Sequence, residues 1–133
     1  MSEDPREEIR ERKRKQLLEN SRAAEEPTEN EPVHIASESE LGEITERDAV
    51  VLVDFYADWC GPCKMLEPVV ADLAAETDTT VAKVDVDTNQ QLASQYGVQG
   101  VPTLLLFVDG EPVERLVGVQ DKDTLTAMIA QYS

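Results

Sequence analysis

From Val33 onward, short runs of continuous or alternating apolar residues trade places with stretches in which apolar residues recur every three or four positions. The first rhythm reads as strand and the second as helix. Residues 33–36 (VHIA) form a short candidate strand. Ser37, with Glu40 three residues on, makes a capping-box pattern that opens a helix through Leu41 and Ile44. Residues 49–57 (AVVLVDFYA) are an apolar run broken only by Asp54, as expected of a strand covered on both faces. Residues 60–76 then show helical spacing at Met65, Leu66, Val69, Val70, Leu73 and Ala74. Residues 80–86 (TVAKVDV) are a further strand, and a short helix around 89–96 ends at Gly97, a C-cap residue. Residues 103–109 and 112–119 flank Asp109-Gly110, a hairpin signal. Asp121 caps a last helix carrying Leu125, Met128 and Ile129. The order βαβαβαββα predicts an α/β domain with a mainly parallel sheet, to which the terminal hairpin adds antiparallel strands.

The segment before Val33 has no such rhythm. Residues 3–19 are almost wholly charged, with Ile9, Leu17 and Leu18 as their large apolar residues. Glu8–Arg12 and Glu11–Lys15 have the i,i+4 order that supports a helix, but so narrow a stripe buries little. A solvated, partly helical tail is expected, with a partner-docking arm as the alternative. Residues 21–32 (SRAAEEPTENEP) read as a flexible linker. The division is therefore a charged extension at 1–32 and one folded domain at 33–133, with no internal repeat.

Charge narrows the function classes. The 133 residues carry 28 acidic and 12 basic side chains, a net charge of −16. Residues 36–133 alone hold 18 acidic and 5 basic side chains, a net of −13, so the acid coat belongs to the folded part. Nucleic-acid binding by phosphate neutralisation and docking on anionic lipid both need a basic face, and neither is expected. The excess fits either plain solubility or a cytoplasm rich in salt, where screening removes most of the self-repulsion. The longest uncharged apolar stretch, residues 101–108 (VPTLLLFV), is far short of the roughly 20 residues that cross a bilayer. The N-terminus has no apolar core of a secretory signal. A soluble, cytoplasmic protein is expected.

The chemistry concentrates at Trp59-Cys60-Gly61-Pro62-Cys63, between the apolar strand and the next helix. A cysteine at a helix N-terminus meets unpaired backbone N–H groups and the positive end of the helix dipole, which stabilise the reactive thiolate. Cys63 lies within disulfide reach of Cys60. Gly61 is expected to let the backbone turn sharply, and Pro62 fits a first helical turn. A tetrahedral zinc site needs four ligands, whereas the chain offers two cysteines and the distant His34, an incidental strand residue. A structural disulfide across so short a loop would gain little chain entropy. A Cys-X-X-Cys pair after a buried strand reads as a redox site with no bound cofactor.

Over residues 33–133 the chain resembles the thioredoxin family. The resemblance rests on Val53-Asp54-Phe55, Trp59-Cys60-Gly61-Pro62-Cys63-Lys64, Pro68, Val81-Ala82-Lys83-Val84-Asp85, Gly97-Val98, Gly100-Val101-Pro102-Thr103 and Gly118, in that order. It implies a thioredoxin fold, a five-stranded mixed sheet flanked by four helices. Its substrates would be disulfides of client proteins, its electron source an NADPH- or ferredoxin-dependent thioredoxin reductase, and its default state a monomer. It also implies roles. Cys60 attacks a client disulfide, and Cys63 resolves the mixed disulfide, leaving the Cys60–Cys63 disulfide.

The other site residues carry an alternative each. Asp54 interrupts an apolar strand, and burial would raise its pKa and make it a proton acceptor for Cys63; an Asp near a strand end facing water is the other reading. The resemblance places the Lys83 ammonium close to Asp54, tuning it, against an exposed Lys at an alternating position. Val101-Pro102 resembles the family's cis-proline loop, which offers backbone groups to a client strand; an ordinary turn proline is the alternative. Trp59 either shields the disulfide and contacts clients or is a core aromatic. Tyr56 stands where a second Trp is common in the family, and Pro68 is expected to kink its helix. Asp58 and Glu67 are expected on a solvated rim.

The first functional reading is a general protein-disulfide reductase. The second is a redox-modulated binding or subunit module whose N-terminal arm chooses the partner; deletion of residues 1–32 would separate them. An oxidase or isomerase on the same fold would differ in redox potential.

Overall fold

The computed structural model describes residues 31–132. The expected charged tail and most of the linker lie outside these residues. The elements follow the predicted order: β1 (Val33–Ile35), α1 (Glu38–Arg47), β2 (Val50–Tyr56), α2 (Gly61–Glu76), β3 (Thr80–Asp85), α3 (Gln90–Gln95), β4 (Thr103–Val108), β5 (Glu111–Val117) and α4 (Lys122–Ala130). The five strands form one sheet in the order β1-β3-β2-β4-β5. β3 pairs in parallel with both β1 and β2, β4 runs antiparallel to β2, and β5 is antiparallel to β4.

Local signals set the element ends. Ser37 Oγ accepts from the Glu40 N–H at 3.2 Å, while Glu40 reaches back to the Ala36 N–H, one residue earlier than the reciprocal bond of a standard capping box. Asp121 caps α4 by accepting from the Thr124 N–H at 2.7 Å. α3 closes in a Schellman motif. Gly97 takes φ +67°, its N–H bonds to the Ser94 carbonyl, and the Val98 N–H bonds to the Ala93 carbonyl. Asp109 and Gly110 both have positive φ, 52° and 86°, as a two-residue type I′ hairpin requires. β5 ends two residues before the predicted limit, because Gly118 turns at φ +93° and gives its N–H to the Pro102 carbonyl. α2 runs through Pro68 as one element; the proline supplies no N–H to the Lys64 carbonyl.

Side-chain alternation along the strands divides the core in two. One layer joins Val51, Val53, Phe55, Val84, Leu105 and other strand residues to α1 and α3 through Leu41, Ile44 and Leu92. The other joins Leu52, Val81, Leu104 and Leu106 to α2 and α4 through Leu66, Val70, Leu73 and Leu125. Asp54 shares strand parity with Leu52, and Lys83 with Val81, so both carry charge into the α2–α4 layer. Cys60, Cys63 and Ala57 form a small third cluster against Tyr56, Val86 and Val101, beyond the carboxyl end of β2.

Candidate redox site

The site is built where β2 gives way to α2. Cys60 is the N-cap of α2, in extended conformation (φ −87°, ψ 111°), and its Sγ accepts the Cys63 N–H at 3.1 Å. A sulfur so placed faces a backbone donor and the positive end of the helix dipole, both of which favour its thiolate. Cys60 and Cys63 are joined as a disulfide with Cα atoms 5.3 Å apart. Cys60 Sγ also lies 3.7 Å from the Val101 carbonyl oxygen. The Val101–Pro102 peptide is cis, and the Gly118 N–H holds the Pro102 carbonyl at 2.9 Å. Trp59, Cys60, Pro62, Cys63, Val101, Pro102 and Gly118 are thus brought to one end of the sheet.

Gly61 corrects an expectation. It occupies the first helical position without a positive φ, and a Cβ there would meet nothing within 4 Å. The sharp change of direction is made by Cys60, not by the glycine. Trp59 is 71% exposed, which removes the core-aromatic reading. Its Nε1–H donates to Asp87 Oδ2 at 2.9 Å. Sequence reasoning passed over Asp87, although a signal existed. β2 and β3 are parallel neighbours with Tyr56 opposite Asp85, so the loops leaving their carboxyl ends must run side by side.

Beneath the site lies a charged cluster. Asp54 is 1% exposed, and neither carboxylate oxygen has a hydrogen-bond partner. Desolvation is the main cause that raises its pKa from 3.8 to about 6; the Lys83 ammonium opposes the rise and the Glu67 carboxylate adds to it. Lys83 is 8% exposed, which excludes an outward-facing strand lysine. It sits opposite Asp54 in the β2–β3 register, yet it forms an ion pair with Glu67, Nζ to Oε1 at 3.8 Å. The ammonium also lies 4.5 Å from the centre of the Tyr56 ring. Glu67 is therefore more than a solvated rim residue. His34, expected to be incidental, meets the Tyr56 ring edge-on, with centroids 6.4 Å apart.

Among the described residues, no group of three or more His, Cys, Asp or Glu side chains could hold a metal ion. No helix among them is long and apolar enough to cross a membrane.

The thioredoxin family model matches residues 32–131. The chain is 54% identical over 84 residues to thioredoxin from Chlamydia trachomatis, a match covering 62% of this chain and 82% of that protein. It is 43% identical over 95 residues to the bifunctional thioredoxin reductase/thioredoxin of Mycobacterium leprae, covering 70% of this chain and 21% of that longer protein. Among solved structures, a point mutant of thioredoxin from Halobacterium salinarum NRC-1 superposes with a TM-score of 0.77 at 60% identity. That match covers 78% of this chain and 92% of the halobacterial one. The five-stranded mixed sheet, the cysteine pair at the head of α2 and a family match over three quarters of the sequence agree: the chain belongs to the thioredoxin family and is a thiol–disulfide oxidoreductase.

Proposed function

We propose that Cys60 is the attacking and Cys63 the resolving cysteine of a general protein-disulfide reductase, with Asp54 as proton acceptor and Lys83 tuning it. The observation that carries this reading is the position of Cys60 Sγ, bonded to the Cys63 N–H at the head of α2 and 3.7 Å from the Val101 carbonyl. The Cys60 thiolate attacks one sulfur of a client disulfide, forming a mixed disulfide and releasing the other client sulfur as a thiolate. Cys63 then gives its proton to the Asp54 carboxylate, and its thiolate attacks Cys60 Sγ. The bond to the client breaks, the second client sulfur leaves and takes up a proton, and Cys60–Cys63 is oxidised as the client gains two electrons.

The client surface in this reading is Trp59, Gly61, Pro62, Val101, Pro102 and Gly118. Exposed Trp59 and Val117 support it, since Val117 pairs with Thr103, next to the cis-proline. An extended client segment would pair with the backbone of Val101 by β-augmentation. A thioredoxin reductase, NADPH- or ferredoxin-linked, returns the pair to the dithiol. The acid coat and the likeness to a halobacterial thioredoxin support a monomer at work in a salt-rich cytoplasm. Residues 33–133 are the catalytic unit, so deletion of residues 1–32 is expected to leave general disulfide reduction intact. Loss of that activity on deletion would instead favour the partner-dependent module.

An equilibrium redox titration in high salt, read by Trp59 fluorescence, tests the function. A two-electron transition near the thioredoxin level of about −270 mV is expected. A midpoint nearer about −180 mV would move the protein to an oxidase or isomerase. Absence of a reversible disulfide would overturn the catalytic reading.

A further inference from the structure

Lys83 is a buried cation with a choice between two carboxylates. Asp54 stands opposite it in the β2–β3 register, and Glu67 reaches it from α2, one helical turn after Cys63. A buried carboxylate and a buried ammonium on adjacent strands ordinarily pair, because each is desolvated and each lacks a partner in the apolar layer. Here the ammonium is drawn the other way. Its Nζ lies 3.8 Å from Glu67 Oε1, whose side chain is 55% exposed, while both Asp54 oxygens are left without a hydrogen-bond partner.

We propose that Glu67 is a positioning residue of the redox centre: it holds the Lys83 ammonium toward the surface of α2, so that Asp54 keeps no cationic hydrogen-bond partner. The proposal rests on the reading of Asp54 as the proton acceptor, since an unpaired carboxylate is the stronger base. The groups bearing on Asp54 come from each neighbouring element. β3 contributes Lys83 and α2 contributes Glu67, and the charge of Asp54 in turn bears on Tyr56 of β2. β4 places the uncharged Leu104 in register with it. His34 of β1 sits opposite Lys83 and touches the Tyr56 ring. Burial chiefly raises the Tyr56 phenol, and the charges of Asp85, Asp58, Asp54 and Glu67 add to the rise. Of the carboxylates in this set, Glu67 is the one that engages Lys83 in an ion pair among the described residues. Besides Glu67, the ammonium meets the Tyr56 ring, 4.5 Å from its centre.

The test is Glu67→Gln in the full chain, which keeps helix propensity and side-chain shape. The Asp54 carboxyl is followed by its carbon chemical shift against pH in the dithiol form. Its midpoint is expected to fall by ~0.5 pH unit or more, within the range a nearby cation imposes on a carboxylate. Glu67→Asp should fall between the two. In a Lys83→Met background the same Glu67→Gln change should shift the midpoint by less than half as much, because only the direct field of Glu67 remains. An unchanged midpoint, or an equal shift in both backgrounds, overturns the proposal; loss of a merely structural contact would lower Tm without moving the midpoint. The underlying reading is judged separately. If Asp54→Asn leaves the rate of client release from a preformed mixed disulfide unchanged across pH, the proton-acceptor role falls, whatever Glu67→Gln does to the midpoint.

Discussion

Cys60→Ser is expected to lose client reduction by ~10³-fold or more, whereas Cys63→Ser is expected to stop after one attack and accumulate as a covalent mixed disulfide with its client. Mass spectrometry of the protein incubated with a disulfide-bonded client reads the difference directly. The two cysteines are alike in burial, so exposure does not separate their roles. What separates them is the backbone. Cys60 precedes the first turn of α2, accepts the Cys63 N–H at 3.1 Å and faces the Val101 carbonyl, where a client strand would lie. Cys63 is the third residue of α2 and 2% exposed, and it does not hold the N-cap position that gives Cys60 Sγ its backbone donor. Trapping by Cys60→Ser instead of Cys63→Ser would reverse the assignment. Multiple turnovers by Cys63→Ser would mean that resolution does not need the second cysteine.

Asp54→Asn is expected to make the protein more stable and a poorer reductase at neutral pH. The folded-state pKa of Asp54 is raised from 3.8 to about 6, chiefly by burial. In that window the native state binds the proton more tightly than the unfolded chain. Stability is therefore fully present below about pH 4 and is lost as pH rises through 6. A displacement of this size corresponds to about 3 kcal/mol, the upper limit of what Asn should restore at pH 7. Denaturant unfolding of both proteins at pH 3.5 and pH 7.5 checks the sign: the two should coincide at the lower pH and separate at the higher. Equal stability at pH 7.5 would show that the ionised carboxylate is not penalised by its surroundings. Release of the client from the mixed disulfide should slow in the variant, because Cys63 then has no carboxylate to take its proton. Retaining so unfavourable a group in the sheet interior is understandable if its basicity is used.

The elements were legible because their signals are local. A capping residue and the N–H it accepts from lie three positions apart, as Ser37 does from Glu40 and Asp121 from Thr124. A type I′ turn is specified by two residues, Asp109 and Gly110. The apolar run broken only by Asp54 reads as a strand covered on both faces, while the burial of its carboxylate, left open between the interior and a water-facing strand end, is fixed by the structure. Cys-X-X-Cys after that run placed the redox pair at a helix head without any knowledge of the tertiary structure. Gly61 was misread for a related reason. Glycine beside a predicted turn suggests a special backbone, but the corner is taken by Cys60 in an ordinary extended conformation.

Periodicity and contacts within about one helical turn were enough to set the order of elements, the mixed sheet and the reactive cysteine pair. Only the tertiary structure decided which partners the long polar side chains take. Lys83 is equally a neighbour of Asp54 by register and of Glu67 by packing, and it is the approach of α2 to the sheet that turns the ammonium to Glu67. Trp59 is exposed and tied to Asp87 because two parallel strands end together and their loops meet. Such choices depend on distances between residues far apart in the chain, and no local pattern encodes them.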